Sequence, residues 1–399
     1  MLLTQDLYSP SGLGRYFPLA KYLVREGAQV SILALHSDFA NLDKCDFVTE
    51  GVNVRYVAQM HVRKFGNVTY HFSPTQLAIT SVKAAAALFR EGMKENADLI
   101  FVGKPHPMNG LAGLRLARRK NLPLIIDCDD YEAESNRVTS RFQKTILKLF
   151  EKRLPRAADM VTTNTYFMRD QLVIWGVGKE KIVYVPNGVD TERFSEVSLA
   201  RVAQLRTKLG LDGKSVVGYY GSLNLKNHPV DLLLRSFKII AEVVPETMLL
   251  IVGGGRDLGS LETLVAELGL KDRIVFTGRI NPDEMNMYYR LAEVSVDPAN
   301  DTMADRGRCP LKLFESWQMG IPTITSDVGD RKILAGNPSA TLLALPGDEE
   351  DLACKIYQVL SDINLLRTLK AAGFENINNY TWAAIANLVY RRIELLEGW

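Results

Sequence analysis

The densest group of chemically capable residues runs from Arg306 to Pro322, RGRCPLKLFESWQMGIP. Pro310 suits a first helical turn, where its missing N–H would have had no partner. The amides of Leu311 and Lys312 would then point outward from a helix start, where unpaired N–H groups and the helix dipole attract an anion. Glu315 follows about one turn later, placed to accept hydrogen bonds from both hydroxyls of a ribose. Gly320 closes the helix and Pro322 opens the next strand. Arg306, Arg308 and Lys312 at a positive helix end repel one another unless an anion sits among them. A solvated basic loop is the bland alternative. The chemistry implied is the grip on a nucleoside diphosphate.

Glycines form a second pattern. Gly12 and Gly14 follow the first strand candidate, while Gly221-Ser222 and Gly253-Gly254-Gly255 follow two later ones. Glycine allows close backbone approach and positive φ, so such loops can cradle phosphate. Any one of them alone reads equally well as a tight turn; their recurrence in both halves points to ligand-binding edges. Gly12-Leu13-Gly14 is not a dinucleotide fingerprint, because Phe17 stands where the third glycine belongs. No P-loop, G-x-S-x-G, H-E-x-x-H or protein-kinase set is present. Asp127, Asp129 and Asp130 cluster in Asp-Cys-Asp-Asp, open to three readings: a D-x-D metal site, a capped turn, or carboxylates for an acceptor. His106 lies on another strand-end loop, as an acceptor contact or an ordinary loop histidine.

These residues need elements to position them. Leu2–Thr4, the turn 9–14 and a helical pattern from Tyr16 to Val24, stopped by Gly27, read as strand, loop and helix. Strand candidates follow at 29–35, 98–102, 124–127, 160–163 and 181–185, with helical patterns between most of them. The pattern restarts with strands at 216–220, 248–252, 273–276, 293–297, 323–325 and 340–344, and a helix from 229 to 241. Such alternation predicts mostly parallel sheets covered on both faces. Ligands of these sheets bind beyond the carboxyl ends of the strands, where the glycines stand.

Length and composition agree. A chain of 399 residues exceeds the roughly 250–300 that one core supports, so two domains are expected. The boundary is placed between Phe194 and Leu211. A net charge of +2 gives no basic stripe for nucleic acid. Four cysteines without paired spacing fit a reducing compartment. No cleavable signal and no spanning apolar run is read from the sequence, and a cytoplasmic location is expected.

Val185-Pro186-Asn187-Gly188-Val189-Asp190 with Phe194, Leu250–Gly255 and Pro310–Pro322, with Pro346-Gly347-Asp348 and Trp382 as weaker markers, resemble the large family of retaining glycosyltransferases called family 4, or group 1. The resemblance covers nearly the whole chain. It implies the GT-B fold, α/β with two facing Rossmann-like domains. The N-terminal, acceptor-side domain would span 1–197 and the nucleotide-sugar-binding domain 198–379, with a C-terminal helix, 380–399, crossing back to the first. The donor would be a nucleoside-diphosphate sugar and the acceptor a hydroxyl of a glycan, lipid-linked or small molecule, with no cofactor and no metal. By the same resemblance Gly12, Gly14, Ser222, Gly254, Leu311, Lys312 and Glu315 would border the donor. Lys226, with Arg306 or Arg308, would neutralise the leaving diphosphate. Asp129 matches a catalytic histidine, with Asp127, Asp130 and His106 as acceptor contacts.

Three departures stand out. Gly307 replaces the first glutamate of the family's E-x7-E motif, Ser222 replaces an arginine, and Asp129 replaces the histidine. They keep two rival readings open, a nucleotide-sugar epimerase or hydrolase of the same fold and a non-catalytic sugar-nucleotide-binding subunit. The basic stretch Arg141–Arg156 also has two readings: a helix packed on its own sheet, or peripheral contact with the inner face of a membrane.

Overall fold

The computed structural model describes residues 1–65, 68–135 and 141–397; residues 398–399 of the expected terminal helix lie outside them. The chain forms two compact units. The first comprises Met1–Gly188, Gly307–Cys309 and Trp382–Trp399, the second Val189–Arg306 and Pro310–Thr381. The chain thus leaves its first unit at Gly188, ahead of the 194–211 stretch.

The first unit carries β1 (Leu2–Leu3), β2 (Ser31–His36), β3 (Asp46–Thr49), β4 (Val52–Gln59), β5 (Val62–Phe65), β6 (Val68–His71), β7 (Ile100–Gly103), β8 (Leu124–Cys128), β9 (Met160–Thr163) and β10 (Ile182–Tyr184). Eight of these form one sheet in the order β10-β9-β8-β7-β1-β2-β4-β3, with β5 and β6 as a separate hairpin. All neighbours in the sheet are parallel except β3 and β4. Central strands β8 and β9 are buried throughout, as parallel strands covered on both faces must be. One face packs Val102, Ile126 and Val161 against Leu116 and Leu172. The other packs Ile32, Ile125 and Met160 against Leu19, Leu23 and Trp382. The terminal helix Trp382–Glu397 therefore completes the core of the first unit, beside helix Phe17–Arg25. A hydrogen bond of 2.7 Å from Asn387 Nδ2 to Glu26 Oε2 ties its polar edge.

The second unit carries β11 (Ser215–Tyr220), β12 (Thr247–Val252), β13 (Ile274–Gly278), β14 (Val294–Asp297), β15 (Thr323–Ser326) and β16 (Thr341–Ala344). Their order is β13-β12-β11-β14-β15-β16, all parallel. Numbered within the unit this is 3-2-1-4-5-6, the doubly wound arrangement whose strand order reverses between its first and fourth strands. In the first unit the reversal falls between β1 and β7.

Two local expectations need correction. The sequence reading omits β3 and β4. Their two-residue turn is Glu50-Gly51, with φ of 50° and 77°, a weaker hairpin signal than Asn-Gly, and β3 is largely solvent-facing. The expected turn at 9–14 is also already helical at Gly12, in a wide turn Gly12–Tyr16 that runs into helix Phe17–Arg25. Gly12 is required there, because a Cβ would lie 2.4 Å from the carbonyl oxygen of Asp6.

Gly253 is under the tightest constraint. Its φ is 142°, and a Cβ would stand 1.8 Å from the carbonyl oxygen of Gly221. Gly259, in helix Leu258–Glu267, has open space around it. Gly253→Ala should therefore cost at least about 1–3 kcal/mol, whereas Gly259→Ala should be neutral or stabilise by about 0.5 kcal/mol. Denaturant melts of the two variants check this contrast.

Candidate functional site

In the second unit the ends of β11 and β14 flank the reversal point. Helix Leu311–Gln318 starts beside them with Pro310 as its cap, so that Pro310 precedes the first turn expected to contain it, and no side chain caps that turn. Lys312, on that turn, bends back toward the sheet. Its Nζ lies 2.8 Å from Asp297 Oδ1 at the end of β14 and 4.5 Å from the Tyr219 ring centroid. The same ammonium would stand 3.1 Å from a Cβ on Gly221, so the glycine leaves room for it. Burial would raise the Asp297 carboxyl, but Lys312 and Arg331 outweigh it and hold it at about 2.

Glu315 stands one turn further into the helix and accepts a hydrogen bond of 2.7 Å from the Tyr289 hydroxyl. Tyr289 is fully buried, its ring stacked on Tyr220 at 3.9 Å and edge-on to Phe194 at 5.9 Å. That aromatic stack fixes one carboxylate oxygen of Glu315. Lys226 and Ser222 are exposed in the loop after β11, and Ser222 gives its carbonyl to the Tyr219 hydroxyl at 2.9 Å.

The electrostatic argument for an anion weakens here. Arg306 forms a two-pronged pair with Asp301, at 2.6 and 2.8 Å, and Lys312 has Asp297. Arg308 belongs with the first unit. Counting three cations by sequence overlooked the acids upstream that neutralise two of them. The glycine loops need a similar correction. The amide of Gly221 donates to the Val252 carbonyl, that of Gly253 to the Gly278 carbonyl, and that of Gly12 to Ser9 Oγ. The Gly254 carbonyl accepts from Leu223 at 3.2 Å. The amides of Gly221, Gly253 and Gly12 are thus spent within the protein. Gly14 is buried within its helical turn.

In the first unit the expected acceptor contact Asp127 is overturned. It is fully buried and receives Arg15 Nε at 2.7 Å, Arg15 NH2 at 2.6 Å, the Tyr16 hydroxyl at 3.0 Å and the Thr162 hydroxyl at 2.6 Å. Burial disfavours the charge on Arg15, but Asp127 outweighs that and holds the guanidinium well above the ordinary arginine value. Arg15 NH1 also donates to the Val185 carbonyl at 3.1 Å and to Asn187 Oδ1 at 2.9 Å. Asn187 Nδ2 passes the chain on to the Cys309 carbonyl at 2.8 Å, anchoring segment 307–309. Gly307 lies in that segment, where a Cβ would stand 3.2 Å from Cβ of Tyr131.

The remaining first-unit candidates meet around Lys104, which follows β7 in a left-handed backbone conformation, φ 65°. Its Nζ lies 2.7 Å from Asp130 Oδ2, 2.7 Å from Glu132 Oε1 and 3.1 Å from Asp129 Oδ1. These three carboxylates present oxygens within 4.8 Å of one another, a spacing that suits a metal ion. An ammonium of the protein's own lies within 3.1 Å of all three, and Asp127, the first acid of the D-x-D spacing, is taken by Arg15 instead. His106 bridges Glu132 Oε2 at 2.8 Å and Thr4 Oγ1 at 3.1 Å across the reversal point between β1 and β7. Burial works against the charges of both Lys104 and Glu132. Their attraction wins, so Lys104 is held well above, and Glu132 well below, the usual range. Asp129 goes the other way, pushed up to about 8 by burial against the pull of Lys104.

Glu151, Lys104, Glu132, Arg15 and Tyr289 escaped the sequence reading. Glu151 accepts the amides of Glu132 and Ala133 at 2.6 and 3.3 Å and is pushed up to about 8 by burial and by Glu132. For Arg15 a signal existed: a cation inside an apolar helical stripe demands a buried carboxylate.

Residues 12–193 match the model of "Glycosyltransferase Family 4", and 214–362 that of "Glycosyl transferases group 1". This chain belongs to the family 4 glycosyltransferases. Mannosylfructose-phosphate synthase of Agrobacterium fabrum is 29% identical over 282 residues, 68% of this chain and 58% of that relative. The chain thus spans little more than half of that relative. Sucrose-phosphate synthase from Thermosynechococcus elongatus has the same fold, with a TM-score of 0.78 at 22% identity over 99% of this chain and 98% of that one. Anabaena HepE, solved in complex with UDP-glucose, gives a TM-score of 0.73 at 17% identity over 99% of each. The fold is GT-B, with two Rossmann-like domains.

A structural role for Asp127 separates from an acceptor role by experiment. Asp127→Asn in this family 4 chain should lower stability by about 3–5 kcal/mol, since it strands a buried guanidinium. Arg15→Met combined with Asp127→Leu should recover part of that loss. Equilibrium urea unfolding of the single and double variants gives the comparison.

Proposed function

We propose that this protein transfers a glycosyl group from a nucleoside-diphosphate sugar to a hydroxyl of an acceptor, with retention of anomeric configuration. The observation that carries the reading is Glu315. It is set by Tyr289 one turn into a helix whose first amides have no side-chain cap, beside the reversal point of a 3-2-1-4-5-6 sheet. The ribose would take Glu315, and the diphosphate the amides of Leu311 and Lys312. As the anomeric bond breaks, negative charge grows on the diphosphate and positive charge on the sugar. Lys226, exposed on its loop, would meet the former where it develops. Arg306 and the Lys312 side chain have weaker claims, being already paired with Asp301 and Asp297. The UDP-glucose bound to HepE supports a uridine nucleotide as the first donor to try.

Among the described residues no helix is long and apolar enough to cross a membrane. Peripheral contact through helix Arg141–Arg153 is favoured by the exposure of Phe142, at 72%, and Leu149, at 43%. Against it, Lys144 and Lys148 already pair with Glu134, at 2.8 and 3.1 Å. Sedimentation with phosphatidylglycerol vesicles at low salt should be lost in Phe142→Asp if the contact is real; a wild-type protein left wholly in the supernatant ends it.

The donor is tested by thermal shift with UDP, GDP, ADP and their common sugars, where a cognate ligand at about 100 times its Kd adds about 2.7 kcal/mol. Tyr289→Phe should weaken nucleotide binding about two- to tenfold by releasing Glu315. Lys226→Ala should cut turnover about a hundredfold with little change in the melt of the free protein. Normal turnover in Lys226→Ala would remove it from the leaving-group role.

A further inference from the structure

A net charge of +2 conceals an uneven distribution. Three helices of the first unit, Pro74–Lys94, Pro107–Lys120 and Arg141–Arg153, lie side by side, each packed on the next. The first two bury Leu88 and Leu116 in one core, and Leu154, just past the third, joins them on that face of the sheet. Together the helices carry twelve lysines and arginines against two acids, Glu91 and Glu151, and Glu151 is buried. The chain has no acid at all between Glu50 and Glu91, nor between Asp98 and Asp127. Lys144 and Lys148 of the third helix are held by Glu134. Arg115, Arg118 and Arg119 of the second are exposed and in no ion pair among the described residues. Like charges gathered on one face repel one another and attract a surface of opposite sign.

The same face exposes apolar side chains. In helix Pro74–Lys94 a capping box of Ser73 and Gln76 closes the first turn, yet none of residues 74–83 is buried and burial begins at Ala84. Ile79 and Val82 stand there at 52% and 71% exposure, and Lys83 is the only charge among those residues. Phe142, in the first turn of helix Arg141–Arg153, is 72% exposed. A half-helix left to water is ordinarily polar, and exposed apolar groups beside a charged field mark a surface that is covered. A nucleic acid offers phosphates but no apolar layer to receive these side chains. An anionic leaflet offers phosphates above an acyl boundary. We propose that the three helices together dock the first unit on an anionic lipid surface, with Arg115, Arg118 and Arg119 on headgroup phosphates and Ile79, Val82 and Phe142 at the acyl boundary. This goes beyond a contact through helix Arg141–Arg153 alone, because the unpaired charge lies on its neighbour. It does not depend on the sugar chemistry.

Vesicle sedimentation at low salt tests this on the full chain. The wild type should sediment with phosphatidylglycerol–phosphatidylcholine vesicles, stay in solution with phosphatidylcholine alone, and be released by high salt. Each cation near an anionic surface accounts for about fivefold in binding, so Arg118→Ser with Arg119→Ser should weaken it about thirtyfold. Val82→Asp should weaken it about tenfold. Arg391→Ser with Arg392→Ser removes the same charge from the terminal helix, which packs on the opposite face of the sheet, and should change binding by about twofold at most. All five side chains are exposed, so the free variants should melt as the wild type does. A wild type left in the supernatant overturns the proposal. Equal loss in the Arg391/Arg392 variant also overturns it, since the attraction is then one of net charge. Loss in Phe142→Asp, with full binding kept by Val82→Asp and by the Arg118/Arg119 variant, confines the contact to helix Arg141–Arg153 and overturns it too. A DNA duplex bound as tightly as the vesicles, and undisturbed by Val82→Asp, makes the partner a nucleic acid in place of a membrane. Nucleotide binding in the thermal shift stands apart from these outcomes, so the docking and the glycosyl-transfer reading fail separately.

Discussion

A fully buried guanidinium governs the carboxyl edge of the first unit. Arg15 sits where water cannot reach it, and an uncompensated charge there would cost far more than the fold could supply. Its donors go to Asp127 on β8, to the carbonyl of Val185 beyond β10 and to Asn187. Thr162 on β9 completes the acceptance by Asp127. One side chain thus fixes the relative position of the first helix, three strand ends and, through Asn187 and Cys309, a distant stretch of chain. The Val185–Asp190 motif, so useful for recognising the family, acts here as an anchor for that network. That explains why it says nothing of the substrate.

Both reversal points use the same electrostatic device with opposite signs. In the first unit a lysine is ringed by Asp129, Asp130 and Glu132. In the second, Asp297 is flanked by Lys312 and Arg331, the latter also held by Thr325 and the carbonyl of Asp305. Charges paired in advance have fixed positions and need not reorganise when a ligand's charge develops, the condition under which electrostatic stabilisation is strongest. The buried cations keep these structural partners.

The alternation of strands and helices was legible because parallel strands buried on both faces are written as short apolar runs, and Met160–Thr163 came out with the bounds expected. The β3–β4 hairpin was not, since a half-exposed edge has no such run. Around the site, the helix start at Pro310 and Glu315 were legible from local spacing. The partners were not. Tyr289 reaches Glu315 from 26 residues away and Arg15 reaches Asp127 from 112, and no periodicity encodes a contact of that range. Local reading also misjudged charge, since whether a cation is free depends on acids that only folding brings near. Asp127 illustrates the limit: beside Asp129 and Asp130 in sequence, it points into the core network, while its neighbours face Lys104.

The loss of the first glutamate at 307 has a physical setting that the motif comparison could not supply. Gly307 is buried, and the space its side chain would enter is occupied by Tyr131 and Met168, at 3.2 and 3.4 Å from a Cβ. Those residues belong to the same core as Cys128 and Trp175, so they cannot move aside cheaply. A glutamate would have to displace aromatic packing to point anywhere. The glycine is therefore an adaptation of the whole segment, whose backbone is drawn in by the bond from Asn187 to Cys309, and not an isolated deletion of one ligand contact. At the end of β8, where the family carries histidine, this chain has a carboxylate group within 3.1 Å of the Lys104 ammonium.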